Sequence, residues 1–173
     1  MDGDGQEMKI RQEAPHDAEA ISSVIEEAFA HHPHSNQTEH ILVDGLRKAG
    51  ALLVSLVAEE EGQVVGHISF SPVRIGGSDT GWMVLAPVAV RAACQRRGIG
   101  KALVKAGLDA IRALGAQGCV LAGDPRYYGR FGFRPMAELV LPGVPPEYFL
   151  ALAFGGPPPE GEVTCHPAFA VCT

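Results

Sequence analysis

Apolar residues in the first third of the chain recur with the period of an amphipathic helix. Residues 8–13 are predicted to form a short strand, and a helix is predicted to follow from Pro15 to about residue 32. Its apolar face carries residues spaced by three and four, namely Ile21, Val24, Ile25, Ala28 and Phe29. A second helix is predicted with Asn36 as its N-cap and Gly50 at its end. Its predicted buried stripe comprises Ile41, Leu42 and Leu46.

From residue 52 the apolar period shortens to that of β-strands. The runs 52–58 and 63–75 are joined by Glu-Glu-Gly and are predicted to form a hairpin. A turn at residues 76–79 leads into a central strand that ends at Val90. Pro87 lies inside this strand and has no N–H to donate, so it predicts a bulge or a local loss of pairing.

A third amphipathic helix is predicted after Gly98, and the rest of the chain is predicted to be mostly strand and loop. The apolar face of the helix is predicted to comprise Ile99, Leu103, Ala106, Ala110 and Leu114, and this apolar surface is predicted to be widened by Val104, Leu108 and Ile111. Further strands are predicted over residues 117–122, 134–141, 148–154 and 162–166. A chain of 173 residues is most simply one domain, which we place at residues 8–173 after a disordered segment of residues 1–7.

The amino-acid composition of the chain excludes several classes of protein. No uninterrupted apolar run approaches ~18 residues, so no transmembrane helix and no membrane partner are expected. The net charge of −6 argues against nonspecific nucleic-acid binding and mildly favours a cationic or amine substrate. The acidic N-terminus differs from the start of a signal peptide, and the four cysteines show no C-x-x-C spacing. We therefore expect a cytoplasmic protein whose cysteines are reduced thiols.

The clearest chemical signal is the strand-to-helix turn Q-R-R-G-I-G-K at residues 95–101. Its glycines permit close backbone approach, and the unpaired N–H groups at a helix start favour a bound phosphate. A P-loop is excluded because no glycine lies between Gly81 and Gly98 to serve as its first glycine, and Ala102 replaces its hydroxyl. A dinucleotide fingerprint fails because Leu103 stands at its third glycine. Taken alone, the motif also fits an ordinary glycine-containing turn before a helix.

A second motif, G-D-P-R-Y-Y-G-R-F-G-F at residues 123–133, extends this signal. Together with the strand L-A-P-V-A-V and the turn Q-R-R-G-I-G, it resembles the GNAT-type N-acetyltransferases, and among them the YhbS-like branch of predicted acetyltransferases. The resemblance covers roughly residues 8–140. It implies a mixed α/β (α+β) fold, with a central, mostly antiparallel sheet, a splayed parallel strand pair and flanking helices.

The resemblance also implies acetyl-coenzyme A as cosubstrate, without a metal. The backbone of Val88, Ala89 and Val90 would contact its pantetheine. The pyrophosphate would lie against Gln95, Arg96, Arg97, Gly98, Ile99, Gly100 and Lys101. Tyr128 stands four residues before Gly132 and would donate a hydrogen bond to the departing thiolate, whereas a one-residue slip in register would give that role to Tyr127.

The implied reaction is transfer of an acetyl group to a small-molecule or peptide amine, by direct attack in a ternary complex. His67, Glu39, His32 and His34 are candidates for the general base, although His67 is better explained as a core histidine. The histidines 31, 32, 34 and 40 have no carboxylate or cysteine at ligand spacing nearby, so no metal site is predicted. A covalent route through Cys94 is not expected, because no histidine lies near it in sequence.

Two other functions remain as alternatives at this stage. A non-catalytic acyl-coenzyme A sensor or partner-binding domain would keep the phosphate-binding turn without turnover. A nucleotide kinase is disfavoured by Ala102. The sequence leaves the acceptor open, and it does not decide between a monomer and a homodimer.

Overall fold

The computed structural model describes residues 7–172, which build one nine-stranded sheet with helices on both faces. The strands are β1 (Met8–Gln12), β2 (Val54–Glu60), β3 (Gln63–Ile75), β4 (Ser78–Val90), β5 (Gly118–Ala122), β6 (Arg134–Pro135), β7 (Leu139–Val140), β8 (Phe149–Ala153) and β9 (Gly161–Cys165). The helices are α1 (Ala18–Phe29), α2 (Glu39–Lys48), α3 (Ile99–Ala113) and α4 (Pro125–Tyr128). Residues 1–6, most of the segment predicted to be disordered, lie outside the described residues, as does Thr173.

The sheet is mostly antiparallel and has the predicted parallel strand pair at its centre. Its main path runs β1-β2-β3-β4-β5-β8-β6, while β9 pairs with the end of β3 and β7 pairs with β9. Strands β1 to β4 pair antiparallel with their neighbours, and β4 and β5 pair parallel. The fold class expected from the family resemblance is confirmed.

The parallel pair separates before β4 ends. Pairing of β4 with β5 runs from Trp82 opposite Gly118 to Val84 opposite Val120, yet β4 continues to Val90. Beyond that point the two strands leave a gap in the sheet. Backbone groups of β4 on that side are therefore free of a ladder partner from β5, which is the feature that positions the site described below.

A bulge interrupts β4 within the same region. The β3–β4 register pairs Ile68 with Val88 and Phe70 with Leu85, so Ala86 and Pro87 together lie opposite Ser69. The Ala86–Pro87 peptide is cis. The hydroxyl of Ser69 donates to the Ala86 carbonyl at 2.9 Å. The bulge predicted from Pro87 is confirmed.

Helices cover opposite faces of the sheet. On one face α1 packs against Val57, Val64 and Ala89, and on the other α3 packs against a cluster that contains Leu56 and Phe70. Neighbouring residues such as Leu56 and Val57 point to opposite faces of a strand, so each face has its own apolar core. Within residues 7–172, no helix has the length and apolarity needed to cross a bilayer.

The start of α2 differs from the prediction. Asn36 is not its N-cap, because its side-chain amide donates to the Val171 carbonyl and Gln37 adopts a φ of 59°, which is not helical. Thr38 takes the cap position, and its hydroxyl also donates to the Val171 carbonyl, at 2.7 Å. Ile41 is 47% exposed and does not belong to the buried stripe, which contains Val43 beside the two leucines.

Two further details differ from the prediction. The buried face of α3 contains Ile99 and Leu103 together with Val104, Leu108 and Ile111, as predicted, but Leu114 is 61% exposed because it lies beyond the last helical residue. Residues 134–141 form two short strands rather than one. Buried Met136 lies between them, and β6 pairs with β8 whereas β7 pairs with β9.

Candidate functional site

A cleft of about 570 Å³ opens where β4 separates from β5. It brings together all but one of the residues predicted from the sequence to bind the cosubstrate or act in catalysis. These are Val88, Ala89, Val90, Gln95, Arg96, Gly98, Ile99, Gly100, Lys101 and Tyr128. Five further residues line the cleft: Ala28, Phe29, Cys94 and Arg130 had no predicted site role, and Tyr127 was predicted only as the alternative to Tyr128.

The turn before α3 has the backbone conformation of an anion-binding helix start. Gly98 is the N-cap of α3 with a φ of 83°, a left-handed conformation that favours glycine. The side-chain amide of Gln95 donates to the Val90 carbonyl at 3.0 Å and ties the turn to the end of β4. Because the Ala102 N–H bonds to the Gly98 carbonyl at 3.0 Å, the N–H groups before Ala102 have no partner within the helix. They are available to a bound anion.

Gly100, the second residue of α3, also lines the cleft. A Cβ atom there would lie 3.4 Å from the Tyr127 hydroxyl oxygen and 3.8 Å from a Val90 methyl group. Both distances are ordinary contacts, so the backbone itself would tolerate a side chain. Without one, the main chain of the α3 start is open to close approach by a ligand.

Cations from two elements line the cleft. Arg96 and Lys101 come from the turn and the first turn of α3, and Arg130 comes from the segment after α4. Among residues 7–172, no aspartate or glutamate lines the cleft. Its charge is therefore positive, as binding of phosphate groups requires.

Arg97 lies apart from the other predicted residues. It is outside the cleft lining, and its guanidinium pairs with the carboxylate of Glu60, which is buried at the end of β2. The neighbouring Arg96 adopts a φ of 67°, a conformation that is uncommon outside glycine. The side chain of Arg96 therefore lines the cleft, whereas that of its neighbour Arg97 pairs with Glu60 outside it.

The two tyrosines of α4 pack edge to face, with ring centres 4.9 Å apart, and both line the cleft. Tyr128 also packs against Phe133 in the core, with ring centres 6.1 Å apart. Burial, and to a smaller extent the proximity of Tyr127, raises the pKa of the Tyr128 hydroxyl to about 12. This hydroxyl is therefore protonated at neutral pH and can donate a hydrogen bond to a ligand in the cleft.

None of the four side chains considered as a general base lines the cleft. His67 is completely buried, and its Nε2 lies 2.9 Å from the Ser55 hydroxyl. Glu39 accepts hydrogen bonds from Ser35 at 2.7 and 2.8 Å. His32 packs against Phe29 and accepts a hydrogen bond from the backbone N–H of His34.

The histidine-rich loop between α1 and α2 was also considered as a metal site. Within the part of the chain that the structure describes, no group of three or more histidine, cysteine or acidic side chains is arranged to hold a metal ion. The cleft lining likewise contains nitrogen donors and backbone groups rather than a set of carboxylates.

Comparison with known proteins adds to this geometry. Residues 18–133 match the sequence profile of the acetyltransferase (GNAT) family. The N-acetyltransferase YhbS of Escherichia coli strain K12, itself uncharacterized, is 40% identical over 132 residues, which cover 76% of each chain. The segment matched by the family profile, residues 18–133, includes both motifs found in the sequence.

Two solved structures are close to the whole fold. A GNAT family acetyltransferase from Brucella melitensis in complex with acetyl-CoA has a TM-score of 0.86 and 51% identity, covering 95% of this chain and 99% of that one. YhbS from Escherichia coli in complex with CoA has a TM-score of 0.89 and 33% identity, covering 98% of this chain and 95% of that one.

Proposed function

The chain belongs to the acetyltransferase (GNAT) family, and we propose that it moves an acetyl group from acetyl-coenzyme A to an amine by direct attack in a ternary complex. One observation carries the proposal. A single cleft joins the unpaired end of β4, the start of α3 and the tyrosines of α4. These are the parts that a long thioester with a phosphate-bearing tail would need.

The donor fits this cleft through complementary groups along its length. Backbone groups of Val88, Ala89 and Val90 would bond to pantetheine amides in the manner of an added strand, because β5 leaves them unpaired. The N–H groups around Gly98 and Gly100 would receive the pyrophosphate, and Arg96 and Lys101 would neutralise its charge. The thioester would then lie towards the β4 bulge.

Tyr128 is the proposed catalytic residue. Its protonated hydroxyl would donate a hydrogen bond to the sulfur as the C–S bond breaks and negative charge develops. The amine nitrogen forms the new bond to the carbonyl carbon, the electrons of the C–S bond go to sulfur, and the product is an amide with free coenzyme A. Arg97 could contact the cosubstrate only by leaving Glu60, so the proposed donor site does not include it.

The acceptor must lose a proton for the amide to form. Because the cleft lining holds no carboxylate or histidine among residues 7–172, the proposal assigns this proton to water in the cleft. The pH dependence of kcat/KM should then follow the pKa of the chosen amine. A panel of amines with different pKa values tests this directly.

The deciding experiment measures turnover and binding separately. Release of the coenzyme A thiol is followed with acetyl-coenzyme A and a panel of small amines and peptides, while calorimetry measures binding of coenzyme A alone. Acceptor-dependent thiol release supports the proposal. Binding without transfer to any acceptor would instead favour the non-catalytic acyl-coenzyme A sensor.

We also propose that the protein is located in the cytoplasm. All four cysteines are free, and burial raises the pKa of the Cys165 thiol to about 11 and that of Cys119 further, which keeps both as unreactive thiols. Free thiols are typical of a reducing compartment. Cell fractionation would test the location, and sedimentation would decide between a monomer and the homodimer left open by the sequence.

A further inference from the structure

Arg130 occupies a defined position on the cleft wall. Its guanidinium carbon lies 4.7 Å from the ring centre of Tyr127, and both residues line the cleft. No carboxylate among residues 7–172 forms a salt bridge with it. The contrast is Arg126, on the preceding helix α4, which lies outside the lining, is 91% exposed and pairs with Asp124.

Tyr127 connects this arginine to the phosphate-binding turn. Its hydroxyl lies close to Gly100 at the start of α3, while its ring contacts the guanidinium of Arg130. Stacking on an aromatic face limits the freedom of the arginine side chain and keeps it next to the turn. The pair Tyr127 and Arg130 therefore forms a fixed cationic platform beside the expected pyrophosphate position.

The positive charges that line the cleft indicate which group of the coenzyme this platform binds. The helix start, Arg96 and Lys101 already provide for a pyrophosphate. Arg130 comes from a different element and is an additional cation that has no anionic partner among residues 7–172. The coenzyme carries one more phosphate, a monoester on its ribose, and such a group adds about 1.5 to 2 negative charges near neutral pH. The planar guanidinium suits a phosphate monoester through paired hydrogen bonds.

We propose that Arg130, held on the ring of Tyr127, binds the 3′-phosphate of coenzyme A and makes the enzyme prefer coenzyme A thioesters to donors without this group. The inference rests on the proposed function, because it assumes that the cleft holds the coenzyme. Pantetheine thioesters on carrier proteins and dephospho-coenzyme A thioesters would be disfavoured. Arg130 would thus determine specificity for the donor, and it is not a catalytic residue.

The test compares coenzyme A with dephospho-coenzyme A, which differ only in the 3′-phosphate. Calorimetry with the full-length protein should show about tenfold tighter binding of coenzyme A, a size expected for a hydrogen-bonded charge pair at a partly exposed site. Arg130→Gln should remove this preference by weakening coenzyme A binding about tenfold and leaving dephospho-coenzyme A unchanged. The preference of the wild type should also shrink at high salt.

Matched variants distinguish a specific effect of the Tyr127–Arg130 pair from an effect of positive charge alone. Arg126→Gln should keep the tenfold preference, because Arg126 lies outside the cleft. Tyr127→Phe keeps the ring and should keep the preference, whereas Tyr127→Leu should reduce it if circular dichroism shows a folded protein. If Arg130→Gln weakens both ligands equally, Arg130 serves the pyrophosphate and the inference is overturned.

The outcome also distinguishes this inference from the proposed function. Equal binding of coenzyme A and dephospho-coenzyme A by the wild type would overturn the inference alone, since the cleft would still hold the coenzyme. Failure of the folded wild type to bind either ligand would overturn both. Retention of the tenfold preference by Arg130→Gln would overturn the assignment of the 3′-phosphate to this residue.

Discussion

Ser55 and His67 form a buried hydrogen bond whose direction is fixed by a third residue. The Ser55 hydroxyl oxygen lies 2.9 Å from His67 Nε2 and donates its only proton to Glu13, at 2.5 Å. His67 Nε2 must therefore carry a proton and donate to Ser55. Burial lowers the pKa of His67 to about 4, so at neutral pH the ring is uncharged and its Nδ1 is unprotonated. Because His67 donates a hydrogen bond to Ser55 and does not accept the proton of its hydroxyl, the histidine cannot activate the serine as a nucleophile. The network is a structural part of the sheet, away from the cleft.

We predict that His67 makes the protein less stable in mild acid. Burial, opposed in part by Glu13 and aided by Arg47, lowers the pKa of His67 from 6.5 to about 4. The unfolded chain therefore binds a proton between these pH values that the folded chain does not bind. The free energy of unfolding should fall by roughly 3 kcal/mol as the pH drops from 6.5 to 4.

Urea titrations across this pH range measure the effect. A variant without the titrating group, His67→Gln, should have a flatter profile over the same range, even if its stability is lower throughout. Glu13 and Asp17 have lowered pKa values, so their contribution is lost at lower pH than that of His67. A wild-type profile that is flat from pH 6.5 to 4 would contradict the neutral buried histidine.

Local patterns predicted the elements of the fold better than their edges. Pro87 has no N–H, and this property alone was sufficient to predict the bulge in β4. The cap of α2 could not be predicted, because Asn36 bonds to Val171, a residue 135 positions away. The division of residues 134–141 into two strands depends in the same way on pairing with β8 and β9, which no local pattern records.

The site was predicted where one segment carries several functional groups, as residues 95–101 do. Arg130 was not predicted to line the cleft, because its position depends on the ring of Tyr127 and on the start of α3, which the fold brings together. Arg97 shows the opposite case. Its place in the motif suggested a phosphate contact, but the fold puts Glu60 beside it.

We predict that acetyl-coenzyme A binds without metal and stabilises the fold. A ligand present at about one hundred times its dissociation constant should raise the free energy of unfolding by about 2.7 kcal/mol. Thermal melting with coenzyme A and a chelator measures this, with pantetheine as the control that lacks the phosphates. An unchanged melting temperature and no heat in calorimetry would show that the cleft does not hold the coenzyme.

Gly100→Asp should prevent cosubstrate binding while leaving the protein folded. The carboxylate would face the pyrophosphate and block the approach of the backbone, yet a negative charge is tolerated at a helix start. Gly100→Ala is the matched control, since its Cβ would make only ordinary contacts. It should bind more tightly than the aspartate variant. Wild-type affinity in a folded Gly100→Asp protein would place the pyrophosphate elsewhere.

Arg96→Gln and Arg97→Gln should have different effects. Arg96 lines the cleft, so its loss should weaken coenzyme A binding about three- to tenfold. Arg97 pairs with Glu60, so its loss should change affinity little and lower stability by about 1 kcal/mol at most, as for other partly exposed ion pairs. Calorimetry and urea titration measure both effects. Equal losses of affinity would mean that Arg97 leaves Glu60 when the coenzyme binds.

The pKa of Tyr128 defines what this residue can contribute to catalysis. A thiol titrates near ~8.5, whereas the Tyr128 hydroxyl titrates near about 12. Complete transfer of its proton to the departing thiolate would be uphill by about 3.5 pKa units, or roughly 5 kcal/mol. A hydrogen bond that strengthens as charge develops on sulfur has no such cost. It also stabilises the transition state more than the ground state.

Tyr128→Phe should therefore lower kcat on the order of 10- to 1,000-fold and leave the affinity for acetyl-coenzyme A nearly unchanged. The substitution keeps the ring that packs against Phe133 and removes only the donor. Tyr127→Phe is the control for the register of the two tyrosines and should have the milder effect. Stopped-flow measurement of the chemical step with an active amine avoids the contribution of product release. If Tyr128→Phe keeps the wild-type rate across the pH range while Tyr127→Phe loses it, the donor is Tyr127. If both variants keep it, the departing thiolate is stabilised by other groups and Tyr128 is a packing residue.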